Sequence, residues 1–233
     1  MILNFFGNGS GFTDSHNNAW FIPAPPQNMV LIDLSMLNLG KLLKMEPWKY
    51  EKTYLYVTHM HDDHTSGIGL FIQYMWYCHG REITIVAPAG LLDDIRTNLA
   101  GRDVVDGYSC MDSDKLAHSA CWGGQSIPTV HTPGLDGKCF GYMFRIDGRV
   151  VVYSGDTAVL GPYLPYLRKA DEFYLDISAG YGKVHLLLTD EVLDKLIKLS
   201  EHVSVYLMHI DDMTAVADII KNTGIRIASV ADM

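Results

Sequence analysis

The chain has 233 residues, 48% of them hydrophobic and 19% charged, a balance that excludes a disordered or fibrous protein and predicts a single folded domain over residues 1-233. Its formal net charge of -9, with lysines and arginines scattered singly, argues against capture of long nucleic acid, whose affinity comes largely from phosphate neutralisation. The opening MILNFFGNGSG carries neither a basic leader nor an apolar run of membrane-spanning length, and Cys78, Cys110, Cys121 and Cys139 sit at no metal-type spacing, so the expectation is a cytoplasmic protein with reduced thiols.

The first predicted strand, Ile2 to Phe6, runs into Gly7-Asn8-Gly9-Ser10-Gly11, where glycine permits either a plain turn or the close approach of a ligand. Strands are predicted next at Ala19 to Ile22 and Val30 to Asp33, with a turn from Pro23 to Pro26 between them, and at Tyr54 to Thr58. Asp33 closes the run Val-Leu-Ile-Asp, where it could cap a helix or turn before Leu34-Ser35. A helical period covers Ser66 to Tyr77, a strand Glu82 to Val86, and a second helix Ala89 to Leu99. Three strands follow, Phe140 to Ile146, Val150 to Ser154 and Glu172 to Asp176. A helix from Thr189 to Leu199 opens on Thr189-Asp190-Glu191, whose carboxylates favour the helix dipole, and the strand Val203 to His209 and helix Thr214 to Asn222 complete the chain. Strands outnumber helices and alternate with them irregularly, which fits a two-sheet core covered by helices better than a simple parallel βαβ sheet.

Chemistry concentrates in Thr58-His59-Met60-His61-Asp62-Asp63-His64, on the loop between a strand and a helix. Three imidazoles and two carboxylates in six residues supply the N and O ligands that zinc takes, whereas a merely solvated loop has no need of such density. Downstream, His131 lies in HTPG, Asp156 in YSGDT and His209 in LMHI, each read as following a strand. Singly they read as a strand-end histidine, a turn aspartate and a core histidine; together, behind HxHxDH, they read as ligands.

The segment THMHDDH resembles the signature of the metallo-β-lactamase superfamily, and His131, Asp156 and His209 follow in that superfamily's order over nearly the whole chain. The resemblance implies an α+β fold, an αββα sandwich of two mixed β-sheets flanked by helices, with two divalent metal ions at one edge. It implies that His59, His61 and His131 hold one ion, that Asp63, His64 and His209 hold the other, and that Asp156 bridges them. Chemistry agrees, since two neighbouring cations need a shared anionic ligand and a carboxylate offers two oxygens. Zinc is the expected metal, with manganese and iron accepting the same ligands. In the superfamily a carboxylate at the place of Asp33 often supports a ligating histidine from behind, a second role open to it beside the cap.

The branch follows from details. Zinc β-lactamases commonly lack the bridging aspartate, and glyoxalase II-like thioesterases continue HTPG with a histidine where this chain has Leu135. Gly141-Tyr142 before an apolar strand, YSGDT, and the GxGSG-like Gly7 to Gly11 resemble ribonuclease Z and related phosphodiesterases. His185, ahead of the Thr189 helix, is similar in order to the histidine of the ribonuclease Z HST segment, though Leu186 and Leu187 depart from that motif and a surface histidine is the other reading. The resemblance implies that Asp63 orients or deprotonates water and that His185 protonates the leaving alkoxide. The interval Thr132 to Gly155 has no room for the long tRNA-gripping arm of ribonuclease Z, so the expected substrate is small and anionic, foremost a cyclic nucleotide, as in cyclic nucleotide phosphodiesterases of the anti-Pycsar type. A carbon-ester, thioester or lactone hydrolase and a tRNA 3'-processing ribonuclease are the alternatives. A non-catalytic metal-binding domain would need a damaged ligand set, and this one is intact. Such enzymes commonly pair, so a homodimer is expected; the aromatics between Phe71 and Tyr77 are compatible with an interface or with the core.

Overall fold

The computed structural model describes residues 1–25, 27–180 and 182–232. Strands β1 (Asn4–Gly7), β2 (Asn18–Phe21), β3 (Asn28–Ile32), β4 (Lys52–Tyr56), β5 (Ile83–Ala87) and β6 (Tyr108–Asp112) form one sheet in that order. Strands β7 (Gln125–Pro128), β8 (Phe140–Ile146), β9 (Arg149–Tyr153), β10 (Glu172–Asp176), β11 (Ser204–Met208) and β12 (Arg226–Ile227) form the second, again in sequence order. In each sheet the first three strands pair antiparallel and the rest join in parallel, so the chain builds one mixed pattern twice. The helices are α1 (Met36–Lys44), α2 (Asp62–Thr65), α3 (Ile68–His79), α4 (Ala89–Ala100), α5 (Ser113–Ser119), α6 (Leu164–Leu167), α7 (Asp190–Ser200) and α8 (Met213–Ile219).

The period-2 alternation of the strands decides what meets what. Tyr174 and Tyr206 turn into the core between the sheets, while Phe173, Leu175, Val205 and Leu207 turn outward to meet Leu167 of α6, Leu196 of α7 and Val216 of α8. The inter-sheet layer is aromatic, with Phe21 5.3 Å from Phe144, Tyr56 5.0 Å from Tyr142, and Phe5 5.4 Å from Tyr174 between ring centroids. Each fully buried side chain of this kind contributes about 1.5–3 kcal/mol of transfer free energy. On the first sheet Phe71, Ile72 and Met75 of α3 and Leu92 and Ile95 of α4 belong to the same buried cluster. The result is the helix–sheet–sheet–helix sandwich expected from the resemblance.

Several expected boundaries move. The helix predicted from Ser66 to Tyr77 is α3, Ile68–His79, preceded by the separate short helix α2; between them the chain passes the backbone of Ser35 at Gly67, where a Cβ would lie 2.7 Å from Ser35 O. The strands expected to include Asp33 and His209 end one residue earlier, at Ile32 and Met208, and both polar residues take left-handed backbone angles, φ 59° and 55°. The predicted helix Thr214 to Asn222 is Met213–Ile219, capped by the Asp212 side chain on Ala215 N. Thr189 is the N-cap of α7, accepting from Val192 N, rather than its first turn. Elements without a predicted counterpart, α1, β6, α5, β7, α6 and β12, are short or weakly patterned: β6 has no fully buried residue, and α1 leaves Met36 and Leu37 exposed while burying Leu39 and Leu42. Of the expected Pro23 to Pro26 turn, Pro26 lies outside the described residues. No helix among the described residues is long and apolar enough to cross a membrane.

Candidate metal centre

Every candidate ligand except His131 lies at or just beyond the C-terminal end of a parallel strand: His59, His61, Asp63 and His64 after β4, Asp156 after β9, His209 after β11. That is the edge where open mixed sheets place their ligand sites. His131 follows β7, the antiparallel outer strand of the second sheet, three residues past Pro128.

The candidate ligands fall into two groups of donor atoms, with all atoms within 4.8 Å of one another in each, and a further group of the same kind joins Asp176 and His185 to His209. In the first, His61 Nδ1 lies 2.9 Å from His59 Nε2 and 3.2 Å from His131 Nε2, and Asp156 Oδ2 lies 3.7 and 3.6 Å from the same two nitrogens. In the second, Asp63 Oδ2 lies 3.2 Å from His64 Nε2 and 3.1 Å from His209 Nε2. Asp156 belongs to both, with Oδ1 3.3 Å from His64 Nε2 and Oδ2 3.3 Å from His209 Nε2. The structure thus brings together all seven residues that the motifs single out.

The far nitrogens of the rings are fixed by the fold. His131 Nδ1 donates to Val184 O at 2.6 Å, and Thr58 Oγ1 lies 3.0 Å from His59 Nδ1. Asp33, a strand-end carboxylate that backs a candidate ligand, sits with Oδ2 2.8 Å from His64 Nδ1 and accepts from Thr58 N and Oγ1, both at 2.8 Å. The α1 N-cap is Ser35, so Asp33 orients a histidine and caps no helix. The other such carboxylate, Asp176, has Oδ2 2.8 Å from His185 Nδ1 and Oδ1 3.4 Å from His209 Nδ1, and accepts from Thr157 N at 2.8 Å. Sequence reading missed Asp176; its one signal was that it closes the run Phe-Tyr-Leu-Asp as Asp33 closes Val-Leu-Ile-Asp.

Burial and neighbours set the charges. Burial opposes charge on His59, and the adjacent imidazoles add to this, holding it well below the ordinary histidine value; His61 and His131 are lowered in the same way. Burial also works against a charged His64 and His209, but Asp156, Asp63 and Asp33 hold His64 well above that value, and Asp156, Asp176 and Asp63 raise His209 to about 10. Against burial, which would raise them, Asp156 and Asp63 are kept well below the carboxylate range by these same rings. Neutral imidazoles and ionised carboxylates are the coordinating forms. His64 Nε2 and Asp156 Oδ1 are buried and face each other without a hydrogen bond to either. Such donors converging on common points fit divalent cations.

Beside the clusters opens a cavity of about 460 Å³, walled by His61, Asp63, His131, Asp156 and His209 and also by His185. His185 is therefore no surface histidine: its side chain is 17% exposed and Asp176 keeps it above the ordinary histidine value despite burial. The glycine-rich segment forms the rim, and a Cβ on Gly11 would lie 2.8 Å from Asp63 Oδ2, so glycine is required by close approach to a candidate ligand. Phe12, His16 and Asp211 also line the cavity, and no motif announced them.

Comparison with known proteins agrees with this geometry. The family described as "Anti-Pycsar protein Apyc1" matches residues 1–228. An anti-Pycsar protein Apyc1 from Saccharibacillus brassicae is 26% identical, over 91% of this chain and 90% of that protein. Among solved structures, the metallo-β-lactamase fold protein YhfI from Bacillus subtilis superposes with a TM-score of 0.75 at 13% identity, covering 99% of this chain and 95% of that one. The short form of human tRNase Z gives 0.69 at 16% identity over 100% and 98% of the two chains, and a diphosphatase of the PhnP family 0.71 at 15% over 99% and 95%. The chain belongs to the anti-Pycsar Apyc1 family, carries the metallo-β-lactamase fold, and is a metal-dependent hydrolase.

Proposed function

We propose that this chain is a dinuclear metal-dependent phosphodiesterase that opens a cyclic nucleotide, acting in the cytoplasm as a homodimer. His59, His61 and His131 hold one divalent ion and Asp63, His64 and His209 the other, with Asp156 shared; zinc suits this N and O set best. When bound, two such ions polarise a phosphoryl oxygen and make water acidic enough to ionise near neutral pH.

The protein's own groups complete the reaction. Asp63 accepts the proton of the attacking water, whose oxygen forms a new bond to phosphorus as the ring P–O bond to the departing alkoxide breaks. The departing alkoxide takes its proton from His185, whose Nδ1–H is held by Asp176 and whose Nε2–H remains for the substrate. The observation that carries the reading is this histidine. It shares the cavity, stands outside the two ligand sets joined by Asp156, and has its charged form favoured by the buried Asp176 carboxylate. Hydrolysis of an ester with a stable leaving group requires no such acid.

The small substrate is supported by the cavity, by the net charge of -9, and by the segment from Thr132 to Gly155, which is taken up by a short turn and the β8–β9 hairpin. Family membership points the same way. The test is chromatography of a panel of cyclic mono- and dinucleotides, a lactone and a thioester after incubation with zinc-reconstituted protein. A linear nucleotide product is expected; turnover of the lactone or thioester alone would remove the reading. Pairing draws on Trp76 and Tyr77 of α3, which stay exposed while Phe71 and Met75 of the same helix are buried. Light scattering at micromolar concentration should give twice the chain mass.

A further inference from the structure

A nucleotide has two unlike ends, and the cavity as described serves only one. Imidazoles and carboxylates suit the phosphate, the ions that neutralise it and the departing oxygen. A heterocyclic base needs a flat apolar partner. Among the described residues lining the cavity, Phe12 is the one Phe, Tyr or Trp, and its side chain is fully exposed, at 100%.

That exposure does not come from a loose loop. Gly9 N donates to Ser15 O at 2.6 Å, Thr13 donates to Ser10 O through N at 3.1 Å and Oγ1 at 2.8 Å, and Ser10 N donates to Ile210 O at 3.0 Å. The last bond ties the loop to the residue after His209. Gly11, next to Phe12, presses against the Asp63 carboxylate. The aromatic ring is therefore held at the rim by a backbone anchored to both sides of the second donor group. Its ring thus presents an unpartnered aromatic face at the mouth of the site, the kind of surface on which a base stacks.

We infer that Phe12 is the platform on which the base of the substrate stacks while its phosphate lies at the histidine and aspartate cluster. This rests on the nucleotide reading above. Because every base has a π-face, the contact favours nucleotides over base-free phosphodiesters with little choice among bases.

The test compares uridine 3',5'-cyclic monophosphate with ribose 3,5-cyclic phosphate, which lacks the base. Replacing a stacking aromatic by alanine costs about 5- to 150-fold per base. The ratio of kcat/KM between the two substrates should fall by that factor in Phe12→Ala and be retained in Phe12→Trp. An unchanged ratio, or a loss explained by dissociation of the protein in light scattering, overturns the inference. Should the wild type hydrolyse neither substrate, the phosphodiesterase reading falls, and the added tryptophan of Phe12→Trp decides the stacking claim separately. Quenching of its emission by uridine 5'-monophosphate but not by ribose 5-phosphate supports the platform; no quenching by either refutes it.

Discussion

Asp176 Oδ2 lies 2.8 Å from His185 Nδ1, and the other oxygen of the same buried carboxylate lies 3.4 Å from His209 Nδ1. One side chain at the end of β10 therefore orients a ring of the second donor group and a ring outside both groups. The outer ring is the one whose removal should separate chemistry from binding. His185→Ala is expected to keep its metal content and fold while slowing a substrate with an alkoxide leaving group by about 10²–10⁴-fold, the usual reach of general acid catalysis. Bis-p-nitrophenyl phosphate, whose leaving group is stable as an anion, should lose far less. Equal losses on the two substrates, measured on metal-replete protein, would make His185 a bystander.

The Asp176 carboxylate stabilises the charged form of His185, which raises its pKa above the ordinary histidine value even though burial works against charge there. An acid with a raised pKa stays competent to higher pH, so the alkaline limb of kcat should lie above pH 6.5. Asp176→Asn removes the charge and keeps the shape. Its alkaline limb should move to lower pH, and an unmoved limb at full metal occupancy would assign that limb to another group.

Asp156 is the side chain common to both donor groups. Purified protein is expected to carry close to two divalent ions per chain, and Asp156→Ala to lose at least one together with activity, because a shared carboxylate both binds and spaces the ions. Elemental analysis finding undisturbed metal content in Asp156→Ala contradicts the assignment.

His64, held well above the ordinary value, and His209, at about 10, bind protons at pH 7 that a metal must displace. Metal binding to protein stripped by a chelator should therefore release protons at that pH and weaken as pH falls. Calorimetric titration with zinc in two buffers of different ionisation enthalpy reads the release directly. Heats that do not depend on the buffer would mean that both rings are already neutral.

How much of this could be read without coordinates depended on how locally the chemistry is written. His59, His61, Asp63 and His64 stand within six residues, a density that composition alone makes conspicuous, and the apolar runs before Asp156 and His209 mark those two as strand-end residues, while His131 was carried by its HTPG motif. The two-sheet fold was legible from the same runs through the superfamily resemblance, while short elements such as β6 and β12 were not, because their stability comes from neighbours already in the sheet.

A lone aspartate after an apolar run looks the same whether it caps a turn, as Asp33 could have, or orients an imidazole, as Asp33 and Asp176 do. Left-handed backbone at Asp33 and His209 turns both side chains toward the cluster, and nothing in residue type predicts it. Phe12 drew no attention because an aromatic among glycines has no period to break.

The sequence by itself determined the kinds of donor and their order along the chain, since ligand chemistry belongs to side-chain type and local spacing. The tertiary structure alone decided which donors share a point in space. Asp63 and His209, 146 positions apart, meet at 3.1 Å only because the parallel strands β4 and β11, in different sheets, end at one edge of the sandwich. That meeting follows from burying two aromatic sheet faces against each other, a property of the whole chain that no short motif contains.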